Sequence, residues 1–125
     1  MSTQFPANAK LNPDCAAIGK PESFSSYADF YSFYLCEHTQ PTTKLFHFVA
    51  TFNVLVFLLM LLKAKAASTK IRILIFAVIQ AYTLAWISHF NIEMNKPATF
   101  KYPLYSFASD WVMFRDALLG RVSLF

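Results

Sequence analysis

Three histidines and one glutamate are the residues of this chain whose types and spacing could do chemistry. His38 and His47 stand nine positions apart in "HTQPTTKLFH", and His89 and Glu93 stand four apart in "HFNIE". The 125-residue chain has no other histidine. Imidazoles and a carboxylate are the ligands of non-haem Fe(II) sites that keep positions open for O2 and substrate, and they also suit Zn(II). If the fold brings these four side chains together, they predict a metal centre.

Two long apolar runs must position those side chains. Leu45–Leu62 and Ile73–Phe90 are 18 residues each, joined by the polar segment "KAKAASTK". A transmembrane helix needs about 20 apolar residues, within a range of roughly 17–25. The runs therefore predict an antiparallel membrane hairpin, with helices over about Pro41–Lys63 and Thr69–Asn95.

Composition favours the same membrane setting. Hydrophobic residues make up 56% of the chain and charged residues only 14%, whereas a soluble domain has roughly 25% charged residues. The net charge of +4 is scattered, which argues against a nucleic-acid partner and suits anionic lipid. Two cysteines, Cys15 and Cys36, imply no disulfide framework. Residues 1–22 have no apolar signal segment and are predicted to be a polar, largely disordered lead-in.

Two further helices are expected beside the hairpin. "SFSSYADFYSFYLCEH", Ser23–His38, has aromatic residues at helical spacing and Ser23 as an N-cap, which is typical of an amphipathic helix at the membrane interface or packed on the hairpin. Leu104–Phe125, preceded by a proline, carries four charges and is predicted to be an interfacial or re-entrant helix. The fold class is thus all-α, with residues 23–125 forming a single membrane-embedded helical domain.

The register of the hairpin predicts that the histidines converge. Residues at equal depth have numbers that sum to about 133, so His47 and His89 fall at the same end, which is also where His38 precedes the turn at Pro41. Glu93 follows His89 by one helical turn. Asn53 and Gln80 also sum to 133, which predicts a hydrogen bond between the two helices.

Other interpretations of the same pattern exist. Each histidine could be an isolated polar residue of a non-catalytic membrane scaffold or assembly protein. Alternatively, His47 and His89 could be axial ligands of a b-type haem. Haem would give a Soret band, whereas a scaffold would contain neither haem nor iron.

Three segments resemble a known family. "YLCEHTQPTTKLFH", "HFNIEMNKPA" and the aspartate of "SFASDWVMF" are similar to motifs of the membrane 2-hydroxy-fatty-acid dioxygenases, a family long catalogued as a domain of unknown function. The resemblance covers about Phe24 to Val122. One departure is the absence of glycine at Phe48, Val49 and Ala50, which concerns helix packing more than metal binding.

The resemblance implies an activity and a set of roles. Members of this family use Fe(II) and O2 to remove one carbon from 2-hydroxy fatty acids, so the expected partners are such an acid, O2 and membrane lipid. His38, His47 and His89 would bind iron, and Glu93 would be a fourth ligand or would orient an imidazole. Asn95 and Asp110 would support the site by hydrogen bonding, with Glu93 and Asp110 as the catalytic carboxylates. The site is expected at a membrane–water interface; basic residues at both ends of the hairpin leave the topology open, and the supply of cytosolic Fe(II) favours the cytoplasmic side.

Overall fold

The computed structural model describes residue 9 and residues 12–125, and this part of the chain is helical, without a strand. The all-α prediction is therefore confirmed. The helices are α1 (Cys15–Ile18), α2 (Tyr27–Cys36), α3 (Pro41–Lys63), α4 (Ala67–Ser88) and α5 (Pro103–Leu118), with a π-helical turn (His89–Glu93) and a 3-10 turn (Ala98–Phe100) between α4 and α5.

The hairpin consists of α3 and α4. Pro41 occupies the first turn of α3, where its missing N–H would be unpaired in any case. Only 17% of the apolar window in each long helix is buried in the protein, and side chains such as Leu62 and Phe76 are 83% and 60% exposed. The core helix of a soluble protein would be mostly buried, so α3 and α4 are candidate membrane-spanning helices.

The hairpin has the register that the sequence predicts. Asn53 Nδ2 donates a hydrogen bond of 3.2 Å to Gln80 Oε1, which confirms the expected pair. Gln80 Nε2 also donates to the carbonyl oxygen of Ala50 at 3.1 Å. The amides therefore satisfy each other and the backbone between the two helices.

Helix α2 is a buried packing helix. It begins at Tyr27, with the Ser26 hydroxyl accepting from the Asp29 N–H, so the predicted cap at Ser23 is wrong by almost one turn. Phe30, Tyr31 and Tyr34 of α2 are almost completely inaccessible to solvent. They form the core of the molecule with two residues from the C-terminal part of the chain, and the cluster comprises Phe30, Tyr31, Tyr34, Leu35, Met113 and Val122.

Helix α5 is shorter than the predicted Leu104–Phe125. It ends at Leu118, close to Gly120, whose φ of 72° lies in the left-handed region that terminates helices. The charges that argued against a spanning helix are partly internal: the fully buried Asp116 accepts hydrogen bonds from Tyr31 Oη and Arg115 Nη2, both at 2.7 Å. This paired carboxylate joins α5 to α2.

The two cysteines form a disulfide, which the cysteine count did not indicate. Cys15 and Cys36 are bonded, with their Cα atoms 5.4 Å apart. The number of cysteines does not show whether they pair. The structure does, because the short α1 brings Cys15 beside Cys36, the last residue of α2. Part of the lead-in expected to be disordered, residues 1–8, 10 and 11, lies outside the described residues. The remainder contains α1 and this covalent link.

Candidate metal centre

Three helical elements bring the three histidines into one buried cluster. His38 lies two residues beyond the end of α2, His47 lies in the second turn of α3, and His89 opens the π-helical turn. Their exposed fractions are 1%, 5% and 1%. Ring centroids are 4.4 to 5.0 Å apart, and one nitrogen from each ring lies within 4.8 Å of the other two. The predicted convergence of the histidines is therefore present.

Each imidazole uses its Nδ1 atom on a hydrogen-bond acceptor. His38 Nδ1 is 2.6 Å from the Tyr34 carbonyl oxygen, His47 Nδ1 is 3.0 Å from Asp110 Oδ1, and His89 Nδ1 is 2.8 Å from Asn95 Oδ1. All three partners are oxygen acceptors, so each Nδ1 carries the proton. In a neutral imidazole the other nitrogen, Nε2, then keeps its lone pair.

Two of these Nε2 atoms face each other at 3.2 Å, in His38 and His47. With both protons on Nδ1, no hydrogen bond can join them, and two lone pairs at this distance repel each other unless a cation lies between them. Two ligands bound ~2.1 Å from one ion at roughly 90–110° are about 3.0–3.4 Å apart. The spacing therefore fits two ligands of a single first-row metal ion.

Burial keeps His38 in the form that binds metal. Loss of solvent, followed by the neighbouring imidazoles of His47 and His89, holds the pKa of His38 well below its ordinary value. A metal ligand must be the neutral imidazole. A metal ion therefore meets a ligand that has no proton to release.

Asp110 links α5 to the cluster. The Tyr34 hydroxyl donates to Asp110 Oδ1, the same oxygen that accepts from His47 Nδ1. Burial and the adjacent carboxylate raise the pKa of Tyr34 well above its ordinary value, so its hydroxyl remains a donor. Sequence reasoning assigned a supporting role to Asp110 but missed Tyr34, whose available signal was its position one helical turn before His38.

Asn95 holds His89 from the far side of a sharp turn. After the π-helical turn, Met94 takes a left-handed conformation (φ 61°), and the Asn95 N–H donates to the His89 carbonyl oxygen at 3.0 Å. The Asn95 side-chain amide donates to the backbone oxygen of Glu37 at 3.1 Å and to its carboxylate at 2.7 Å. These two bonds fix the amide so that Oδ1 points at His89.

Glu93 does not join the histidines in this structure. Its Oε2 accepts from the Thr39 hydroxyl at 2.9 Å and its Oε1 accepts from the Gln40 N–H at 2.5 Å. Both oxygens therefore bind the turn between α2 and α3. In this arrangement Glu93 fixes the turn that carries His38 and does not belong to the histidine cluster.

Comparison with known proteins places the chain beside a described family. A family model described as 2-hydroxy-palmitic acid dioxygenase Mpo1-like matches residues 24–122. No curated protein and no solved structure matches the chain. The matched range contains the three histidines with Asn95 and Asp110, and it covers well over half of the 125 residues. Because the match covers most of the chain, the chain belongs to the Mpo1-like family.

Proposed function

We propose that this protein is a membrane Fe(II)-dependent dioxygenase that shortens 2-hydroxy fatty acids by one carbon. The observation that carries the proposal is the buried cluster of three imidazoles, whose nearest nitrogens lie within 4.8 Å of one another and whose Nδ1 atoms each bond an oxygen acceptor. Three imidazole ligands suit Fe(II) and Zn(II) and leave further positions for other ligands. The family description favours the iron alternative, because it names an oxygenase acting on 2-hydroxy-palmitic acid.

The overall reaction needs no additional reductant. A 2-hydroxy acid, R–CH(OH)–COOH, and one O2 balance as R–COOH, CO2 and H2O. The C1–C2 bond breaks, C2 is oxidised to a carboxyl group, and both oxygen atoms of O2 are fully reduced. Iron, when bound, would supply the activation of O2. The residues of the chain orient the metal ligands. Asp110, Asn95 and the Tyr34 carbonyl fix the three imidazoles, and the buried position of the cluster limits access of water.

The geometry disfavours the haem alternative. Axial haem ligands lie on opposite faces of a macrocycle, whereas the centroids of the His47 and His89 rings are only 5.0 Å apart. His38 also occupies the space beside both of them. A porphyrin would have to displace that third imidazole.

The test combines metal content with turnover. Protein purified in lipid nanodiscs should bind one iron per chain, show no Soret band, and convert 2-hydroxypalmitate to a C15 acid only when O2 is present. Chelation should abolish conversion; Fe(II), but not Zn(II), should restore it.

The single variants His38→Ala, His47→Ala and His89→Ala provide the second arm. Each should lose iron and turnover while the helical content is retained, because each histidine lies near a helix end. Ser109→Ala is the control, because the Ser109 hydroxyl bonds Tyr27 Oη and is not a partner of any of the three histidines. Full turnover in any histidine variant, or turnover that resists chelation, would exclude the proposed site.

A further inference from the structure

An elongated cavity leads away from the histidine cluster along the hairpin. Its walls come from α3, α4 and α5, and its residues run from His47 and His89 at one end to Leu58 and Leu74 at the other. It offers about 210 Å³ to the centres of water-sized molecules, and since one water needs roughly 10–15 Å³ of such space, it holds far more than a bound water. Apart from the polar residues at the cluster end, its lining is mainly apolar.

The cavity has the length of an acyl chain. His47 and Leu58 are 11 residues apart on α3, and Leu74 lies on α4, 15 residues before His89. At ~1.5 Å per helical residue these are about 16 and 22 Å. An extended chain advances roughly 1.2 Å per bond, as in an extended backbone, so this length corresponds to about 14–18 bonds.

Small residues on α4 leave room for this cavity. Ala77, Ala81 and Ala85 recur every four residues and all line the cavity, so one face of α4 lacks side chains that would fill it. Further along the wall, Leu74 and Val78 are 47% and 55% exposed. The cavity is therefore bordered by lipid-facing side chains, which gives a hydrocarbon tail a route from the bilayer.

A buried hydroxyl without a partner lies at the polar end. Ser106 is 3% exposed and lines the cavity, and its Oγ has no hydrogen-bond partner among the described residues. It precedes Asp110 by one turn of α5 and so faces the same side as the residue that orients His47. Leaving a buried hydroxyl unpaired costs roughly 1–3 kcal/mol, so a ligand oxygen would complete this site.

We infer that this cavity is the acyl site of the substrate, with Ser106 hydrogen-bonded to an oxygen of its 2-hydroxycarboxylate head and the tail extended to Leu58 and Leu74. The inference rests on the proposed function for the identity of the acid. The head then lies at the histidine cluster, where C1 and C2 react. Chain length is selected by where the cavity ends between α3 and α4.

Values of kcat/KM for acids of different chain length test where the tail lies. Ala81 is eight residues from His89, or about 12 Å and ~10 bonds along the cavity. Ala81→Phe should therefore lower kcat/KM for 2-hydroxypalmitate at least about tenfold, while acids of roughly ten carbons or fewer are converted as before. Leu74→Ala should raise the relative kcat/KM for longer acids. Ile75→Ala is the matched control, since Ile75 is the next residue, is similarly exposed (51%) and lies outside the cavity. A uniform change for all chain lengths would overturn the inference.

Kinetic and stability measurements test the contact of Ser106 with the substrate head group. Ser106→Ala should raise KM about tenfold, the size of one lost hydrogen bond, with little change in kcat or in iron content. Its thermal stability should match or exceed that of the wild type, because an unpaired hydroxyl is removed. Ser109→Ala is the control: the Ser109 hydroxyl lies 2.9 Å from Tyr27 Oη, so this variant should lose stability but keep KM. Identical KM values for both variants would contradict a head-group contact.

Photolabelling separates this inference from the proposed function. A fatty acid with a diazirine near its methyl end, irradiated with metal-free protein in nanodiscs, should label the peptides that contain Leu58 and Leu74. Ala81→Phe should reduce this labelling and Ile75→Ala should not. Labelling without any turnover would retain the acyl site and refute the enzyme assignment. Turnover with labels spread evenly over the lipid-facing helices would support the enzyme assignment and refute the acyl site.

Discussion

Replacing Asn95 by leucine should weaken metal binding through His89, although Asn95 does not reach the metal position itself. The variant keeps the approximate size of the side chain and removes three hydrogen bonds. His89 Nδ1–H loses its acceptor at 2.8 Å, and two acceptors of Glu37 lose their donor. The imidazole is then free to rotate and to move its proton to Nε2, which would block the lone pair that faces the other histidines.

The expected size follows from the position of Asn95. Loss of a residue that orients a metal-binding histidine lowers metal affinity about 10–100-fold. Asn95 is partly exposed, so water can replace some of the lost bonds, and we expect the lower end of this range. A tenfold loss corresponds to about 1.4 kcal/mol in binding free energy.

The assay is a competition titration of Fe(II) or Co(II) against a chelator, with thermal unfolding measured in parallel on metal-free protein. Asn91→Leu is the control, because Asn91 is also an asparagine of this turn but is exposed and donates only to the Ile87 carbonyl oxygen at 3.0 Å. It should keep wild-type affinity. Equal affinities for the two variants would refute the orienting role, whatever their stabilities.

Three further outcomes are expected. Asp110→Asn should lower metal affinity roughly tenfold by removing the charged acceptor of His47 Nδ1–H, measured by the same titration, with helical content unchanged by circular dichroism. Gln80→Leu should cost about 1 kcal/mol of unfolding free energy, because membrane hydrogen bonds of this kind contribute roughly 0.6–2 kcal/mol, and iron content should stay at one per chain. Alkylation without reductant, followed by mass spectrometry, should find no free thiol at Cys15 or Cys36; two alkylated cysteines would contradict the disulfide and indicate a reducing compartment.

The hairpin was predictable because long apolar runs and a proline leave few alternatives. Pro41 and Lys63 bound α3 as expected, and the midpoint of the polar connection was sufficient to pair Asn53 with Gln80. That register also brought His47 and His89 to one end. These features depend on helix periodicity and length, which are properties of the local sequence.

The environment of the histidines was less predictable because it depends on backbone geometry outside the regular helices. In an ideal α-helix, Glu93 would lie one turn beyond His89 on the same face. The chain instead forms a π-helical turn there and reverses at Met94. Such turns have no simple sequence signature, although they are frequent at functional sites. The reversal returns Asn95 to His89, while the Glu93 carboxylate binds the turn between α2 and α3.

The hairpin alone could bring two imidazoles together, but it could not choose which nitrogen of each carries a proton. That choice is made by three different acceptors: a backbone carbonyl of α2, a carboxylate of α5 and an amide beyond the π turn. Removing any of these segments would leave an imidazole free to present N–H in place of a lone pair. The site therefore needs the flanking helices as much as the hairpin. This requirement gives a physical reason for a family match that begins before α2, at residue 24, and continues to residue 122, well past the last histidine.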